Sequence, residues 1–322
     1  MLGGLARRAA YVLTEKGAGR NVIFIDSGNL FPDMTRAKDR EKARRTADIL
    51  VRAYERMAVD AVNVGLGEVS LGRSFFEGEE GQKIPWLSSN ILDEEGKPLF
   101  RPYILKNVQG VRMAFIGLSG ARVESMVRKS FGSDFAVVDP VDAARKVIGQ
   151  LSDQAEVIVL IAAMTEAEIR RTVEANPGIC FVIGGEGDIT GSPSWVGRVP
   201  VLYSGIEGQH VGLLELTCGS VKGDIVDQGQ EDRIRGEIDR LENRLAVFEK
   251  AHERTPTAAT EKMIGDLAAR KKKLEQELAR VCTCKLESGK FLWNLVPMSS
   301  YLSEDPEVLR WMQAEGLEEG HG

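Results

Sequence analysis

Residues 60–72 read DAVNVGLGEVSLG. Ala61-Val62-Asn63-Val64 has the apolar character of a buried strand, and Gly65-Leu66-Gly67-Glu68 is a glycine-rich turn closing on a carboxylate. A rigid strand end feeding an exposed loop is where α/β proteins place catalytic and ligand-binding groups. Leu66 and Gly67 nevertheless stand where polar donors or metal ligands are looked for. The stretch is therefore either an active-site loop or the shell of one.

The same strand-then-loop pattern recurs on both sides of it. Upstream, NVIFID (21–26) is a short apolar run stopped by Ser27-Gly28. Between the two, residues 36–60 form a helix with Ala47, Leu50, Val51, Tyr54 and Met57 on one face and a basic, solvated face opposite. Downstream come IPWLSSNI (84–91) and YILKNVQGVRMAFIGL (103–118), the latter a hairpin through Gly110. A helix near 141–152, the strand AEVIVLIAA (155–163), a helix over about 165–175 and the strands ICFVIGG, VPVLYSG and VGLLELT complete the series. Helices alternating with fully apolar strands predict α/β layers, a sheet covered by helices.

The composition changes near residue 230. Ile234, Ile238, Leu241, Leu245 and Phe248 fall at steps of four and three, and Met263, Leu267, Leu274, Leu278 and Val281 resume the seam. That spacing is a coiled-coil heptad, and Pro256 between the halves breaks it into an antiparallel helical hairpin. Such a pair buries only a stripe, so it packs on its own domain, a second copy or a protein partner through 231–281. The last stretch, 291–312, reads as a strand, a proline turn and a short helix capped near Ser303 or Asp305. The expected divisions are 1–228, 229–282 and 283–322.

With 43% hydrophobic and 28% charged residues over 322 positions, the chain is ordinary for a globular protein. A net charge of -6 and the lack of a basic stripe exclude a nucleic-acid partner at this level of reading. The longest apolar run, Val157 to Met164, is too short for a transmembrane segment. No signal peptide is visible, so the expected compartment is cytoplasmic as written, and periplasmic or secreted if a signal lies upstream of Met1. Cys180 and Cys218 read as unpaired thiols. Cys282 and Cys284 form a C-x-C pair, poor as a zinc half-site, for which a thiol-redox role is the sharper alternative.

Order, spacing and flanking apolar runs of GGLARRAAYV (3–12), VIFIDSGNLF (22–31), YERMAVDAVNVGLGE (54–68), PYILKNVQGVRMAFIGL (102–118), VIVLIAAM (157–164), PGICFVIGGEGD (177–188) and VLYSGIEGQHVGLLEL (201–216) go further. Over residues 3–226 the chain resembles the metallophosphoesterase domain of the 5'-nucleotidase family, in the calcineurin-like superfamily. The resemblance implies an α/β fold, a layered β-sandwich flanked by helices, with the C-terminal hairpin added. It also implies two divalent metals that clamp a phosphoryl group and generate a bound hydroxide.

The ligand positions that the resemblance identifies are altered together. Asn29 stands at the bridging aspartate of D-x-G-D, and Leu66 and Gly67 replace the asparagine and histidine of G-N-H-E, where Glu68 is kept. Ala163 falls where a histidine is expected, and Glu186 and Asp188 replace the two histidines of G-H-x-H. The family's opening D-x-H strand precedes GGLARR, which here begins at Gly3. Either an upstream segment supplies it or the sheet lacks that strand. The former reading makes 1–228 an N-terminally truncated domain.

Two functions are therefore expected to compete. One is a protein that has lost two-metal phosphoesterase activity and acts as a binding or assembly module. The other is a metal-dependent hydrolase of phosphate esters or nucleotides with an atypical site. Asp26, Glu68, Glu186 and Asp188 are the oxygen ligands left for a single divalent cation (Mg, Mn or Ca). For Asp26 the simpler role is a structural acceptor beneath the loop. Asn90 is expected to fix loop backbone, and Tyr203 and Trp195 to line the cleft or the core.

Overall fold

The computed structural model describes residues 4–185, 187, 191–206, 208–217, 226–282 and 289–317, with the side chains of 279–282 left aside. The chain divides into two compact units, Met1–Leu213 with Asn294–Gly322, and Leu214–Trp293.

The first unit opens with helix α1 (Leu5–Gly17), followed by β1 (Ile25–Asp26), α2 (Arg40–Arg56) and β2 (Ala61–Asn63). Short helices α3 (Leu66–Ser70), α4 (Arg73–Glu77) and α5 (Glu79–Gln82) lead to β3 (Trp86–Leu87) and β4 (Ile91–Leu92). The hairpin expected through Gly110 is β5 (Tyr103–Val108) and β6 (Val111–Ser119), turned by Gln109 and Gly110 with φ of 51° and 89°. Then come α6 (Arg122–Ser130), β7 (Ala136–Val137), α7 (Pro140–Leu151), β8 (Val157–Ala163), α8 (Glu166–Ala175), β9 (Phe181–Gly184), β10 (Ser194–Val196), β11 (Val199–Tyr203) and β12 (His210–Thr217).

The apolar runs do what their composition dictates. β8 is buried at every position, because it lies at the centre of a sheet ordered β10-β11-β9-β8-β6-β5. Its inner strands β6, β8, β9 and β11 are parallel, with antiparallel β5 and β10 at the edges. Helices α7 and α8 cover one face through Ala143, Ala144, Ile169 and Val173. A second, parallel sheet β1-β2-β3 packs with α1 and α2, whose Leu5, Ala9, Leu50, Val51 and Tyr54 are buried. This is the mixed α/β layering expected from helices alternating with fully apolar strands.

Register decides what meets at the strand ends. Ser119 pairs with Ala163 and Ala162 with Gly184, so β6, β8 and β9 end level; Asp26 pairs with Val62 and Asn63 with Leu87. Gly117 lets the two sheets approach: a Cβ there would lie 2.6 Å from Asn63 Oδ1 and 2.7 Å from Leu87 Cβ. The NVIFID run contributes only Ile25 and Asp26 as strand, and among the described residues β1 pairs on one side, with β2. The C-terminal helix α11 (Pro306–Ala314) is capped by Asp305, which accepts N–H bonds from Glu307 and Val308. Arg56 of α2 grips the same carboxylate at 3.0 and 2.9 Å. Burial pushes the Asp305 carboxyl up, but Arg56 and the helix N–H groups outweigh it and hold it below its ordinary range.

The second unit carries β13 (Val226–Asp227), α9 (Gln228–Arg254), α10 (Ala258–Cys282) and the start of β14 (Lys290–Pro297). Val226 and Asp227 pair in parallel with Lys290 and Phe291. The helices separate at Pro256, and their ties run antiparallel: Gln230 to Glu277, Glu237 to Arg270, Glu242 to Lys271 and His252 to Thr260. Ile234, Leu241 and Leu267 of the seam are buried.

Candidate functional site

Asp26 ends β1 half-buried, and both its oxygens are engaged. Oδ1 accepts the Gly28 N–H at 2.9 Å, and Oδ2 accepts the Tyr54 hydroxyl at 2.6 Å. That hydroxyl in turn accepts from Arg8 at 2.7 Å. Burial, only partly countered by Arg8, drives the Tyr54 phenol well above its ordinary pKa, so it remains a neutral donor to Asp26. Gly28 has φ of 96°, and a Cβ there would lie 2.7 Å from the Asn63 carbonyl, so the turn requires glycine.

The following residue, Asn29, adopts φ of 57°, a left-handed conformation that asparagine tolerates better than most. Its Oδ1 accepts the N–H groups of Leu66 and Gly67 at 2.9 and 3.3 Å, capping α3 from another loop. Reciprocally, the fully buried Glu68 of α3 accepts four N–H groups. Asn29 and Gly65 donate to Oε2 at 2.9 and 2.7 Å, Leu30 and Phe31 to Oε1 at 2.7 and 3.3 Å. Loops 26–31 and 65–68 thus form a latch in which each supplies the acceptor for the other's backbone. Gly67 is packed so tightly on the Phe31 carbonyl that no side chain fits.

Burial pushes the Glu68 carboxyl up to about 7, against the pull of the Asn29 and Gly65 N–H groups and with a further push from Asp26. The ionised form is the one that matches four N–H donors.

The other strand ends close around this latch. Ala163 presents only a methyl group, and its carbonyl accepts the Gly120 N–H at 2.9 Å. Gly185 donates its N–H to the Ala162 carbonyl at 2.8 Å, and a Cβ on it would sit 3.3 Å from Ser27. The Tyr203 ring lies against Gly184 and Gly187, so it walls the loop after β9, while Trp195 is 36% exposed. Glu186, Asp188 and Cys284 lie outside the described residues, as does Cys218. Cys282 ends α10 and its side chain is likewise not described. Cys180 is a free thiol, its pKa raised by burial.

Beneath these loops lies a buried polar network. Asn90 does fix backbone: it accepts the Ser119 N–H at 2.9 Å and donates to the Ser119 and Val138 carbonyls at 2.7 and 3.0 Å. Ser119 donates to the Val64 carbonyl at 2.6 Å, and Asn63 donates to the Leu118 carbonyl at 2.9 Å. Arg8 and Ser119 carry no sequence signal as supports, and Tyr54, expected on the apolar face of α2, is buried there and adds its hydroxyl to Asp26. For Tyr54 the signal available was a polar group inside a buried face.

Of the four oxygen ligands expected for a single divalent cation, Asp26 and Glu68 are among the described residues. The oxygens of Asp26, Asn29 and Glu68 already accept N–H or O–H groups, and Leu66, Gly67 and Ala163 have no side-chain donor atoms. Among the described residues no group of three or more His, Cys, Asp and Glu side chains is placed to hold a metal ion. These residues do not fit a two-metal centre.

No protein-family model matches the chain. A 5'-nucleotidase of Vibrio cholerae is 36% identical over 90 residues, 27% of this chain and 16% of that protein. Another, of Vibrio parahaemolyticus, is 34% identical over 77 residues, 24% of this chain and 14% of its own length. The matched stretches therefore span less than a fifth of these curated relatives. Among solved structures, the sulfate thiohydrolase SoxB of Thermus thermophilus superposes with a TM-score of 0.65 at 17% identity, covering 98% of this chain and 46% of that one. A 5'-nucleotidase precursor of Thermus thermophilus gives 0.54 at 26% identity, over 67% of this chain and 46% of that one. The calcineurin-like phosphoesterase YfkN of Bacillus subtilis gives 0.56 at 14% identity, over 96% and 87%. No helix among the described residues is long and apolar enough to cross a membrane.

Proposed function

We propose that this chain, which resembles the 5'-nucleotidases in sequence and the calcineurin-like phosphoesterases in fold, is a binding or assembly module without two-metal phosphoesterase activity. The observation that carries the reading is the latch. Asn29, at the bridging position, and Glu68 each accept backbone N–H groups from the opposite loop. A bridging ligand must offer free oxygen lone pairs to two cations, and lowering the pKa of bound water needs both charges close together. An amide already capping a helix offers neither negative charge nor a free geometry.

The hairpin α9–α10 is the proposed docking element for a protein partner or a second copy. Its buried positions leave apolar surface over, with Val247 66% and Met263 41% exposed. Sizing of the full chain by light scattering against a version lacking 231–281 tests that part, with a smaller assembly expected for the shortened chain.

The catalytic part is tested with p-nitrophenyl phosphate in manganese, zinc or cobalt. The expected result is no turnover above that of the buffer. Turnover that disappears in Glu186→Ala or Asp188→Ala would overturn the reading in favour of a hydrolase with an atypical metal site.

A further inference from the structure

Away from the latch, a cleft of about 640 Å³ opens between α4, α5 and the segment around 99–101. That volume is within the range of small-molecule sites. Its walls are aromatic. Phe76 makes edge contacts with Trp86, Phe100 and Phe131, ring centroids 5.4, 5.0 and 5.7 Å apart. The Trp86 indole N–H is already engaged by the Gly81 carbonyl at 2.7 Å, so the wall it presents is apolar.

The rim carries cations in two different states. Arg73 is held by Glu77 at 2.6 Å and by Glu94 at 3.2 Å, and Lys83 by Glu80 at 2.7 Å. Arg101 lines the same cleft, is exposed, and has no carboxylate partner among the described residues. Its backbone is fixed, since its carbonyl accepts the Ser88 N–H at 3.1 Å and the residue bridges to Leu87. A free guanidinium on rigid backbone beside ring edges calls for a ligand with a planar anionic group and a flat apolar body.

We propose that this cleft binds a small aromatic carboxylate, its rings against Phe76, Trp86 and Phe100 and its carboxylate on Arg101. The guanidinium takes a carboxylate through two parallel N–H bonds, whereas the rings contribute contact area to any flat apolar molecule. Charge therefore sets the selectivity, and the aromatic wall sets the general affinity.

The test uses the full chain with 2-naphthoate as probe and the neutral 2-naphthylmethanol as its control, followed by calorimetry and by protein-to-ligand magnetisation transfer in NMR. The expected result is saturable 2-naphthoate binding with Kd below about 1 mM, with magnetisation transfer from Phe76 or Phe100 ring protons. Arg101→Gln, whose side chain is exposed and leaves the fold intact, is expected to weaken 2-naphthoate about tenfold while leaving the alcohol unchanged. Absence of saturation at about ten times that Kd, equal 2-naphthoate affinity in the variant, or an equal loss for both probes would each overturn the proposal. Transfer from rings outside the cleft would do so as well.

Discussion

The latch and the aromatic cleft lie in the same unit and differ in how the side chains of Asp26, Asn29 and Glu68 on one side, and of Arg101 on the other, are engaged. At the strand ends, the side-chain oxygens of Asp26, Asn29 and Glu68 are bound to neighbouring N–H and O–H groups. In the cleft, the Arg101 guanidinium has no carboxylate partner among the described residues and lies beside aromatic rings. Loops at the carboxyl ends of strands are where ligands are expected in α/β folds. The comparison teaches that the place alone does not make a site; free donors or acceptors do.

The severest way to break the contrast is Glu68→Ala. Four backbone N–H groups inside the latch lose their acceptor, and the expected loss is about 3–5 kcal/mol in urea unfolding. A loss under about 1 kcal/mol would mean that water reaches these groups and the loops are not locked. Next in size is the pH dependence. The folded Glu68 carboxyl sits at about 7, above its ordinary 4.5, so the native state holds the proton more tightly than the unfolded chain. Its contribution is therefore fully present below about 4.5 and is lost as pH rises towards 7, a fall of up to about 3 kcal/mol. Glu68→Gln removes the titration, and stability measured across that window should lose this slope. A slope of opposite sign would show that the four N–H bonds outweigh burial.

Asn29 sharpens the comparison from the other loop. Asn29→Ala removes the cap on Leu66 and Gly67 and places alanine at positive φ, with an expected cost of about 1–2 kcal/mol. Asn29→Asp keeps the acceptor and should fold normally, yet gain no phosphatase turnover in manganese, because the other ligand positions remain altered. Turnover in that variant would show the latch to be a dormant centre one substitution from activity. The smallest effect is expected at Arg101→Gln, within about 0.5 kcal/mol of the wild type. A side chain with no carboxylate partner among the described residues contributes little to folding, and a larger loss would mean that Arg101 is structural.

Much of the architecture was legible in the sequence. The all-apolar run of β8 could lie only inside a parallel sheet, and Gly110 marked the hairpin of β5 and β6. Helix α1 was harder to read. Its buried face relies on Leu5, Ala6, Ala9 and Val12, small side chains that give a weak stripe, and its N-cap is Gly4, with no capping side chain. The short helices α3 to α5 left no periodicity at all, since four or five residues are little more than one turn.

The altered ligand positions were also legible, because a missing imidazole is a property of the residue itself. What replaced them was not. That Asn29 turns its amide onto Leu66 and Gly67, that Tyr54 extends its hydroxyl from the buried face of α2 to Asp26, and that Arg101 meets no carboxylate among the described residues all depend on groups far apart in the chain. The sequence by itself determined the periodicities, and through them the strands, most helices and the layers they form. Only the tertiary structure decided which polar groups are satisfied, because a hydrogen bond depends on distances of tenths of an ångström between loops that residue order does not bring together.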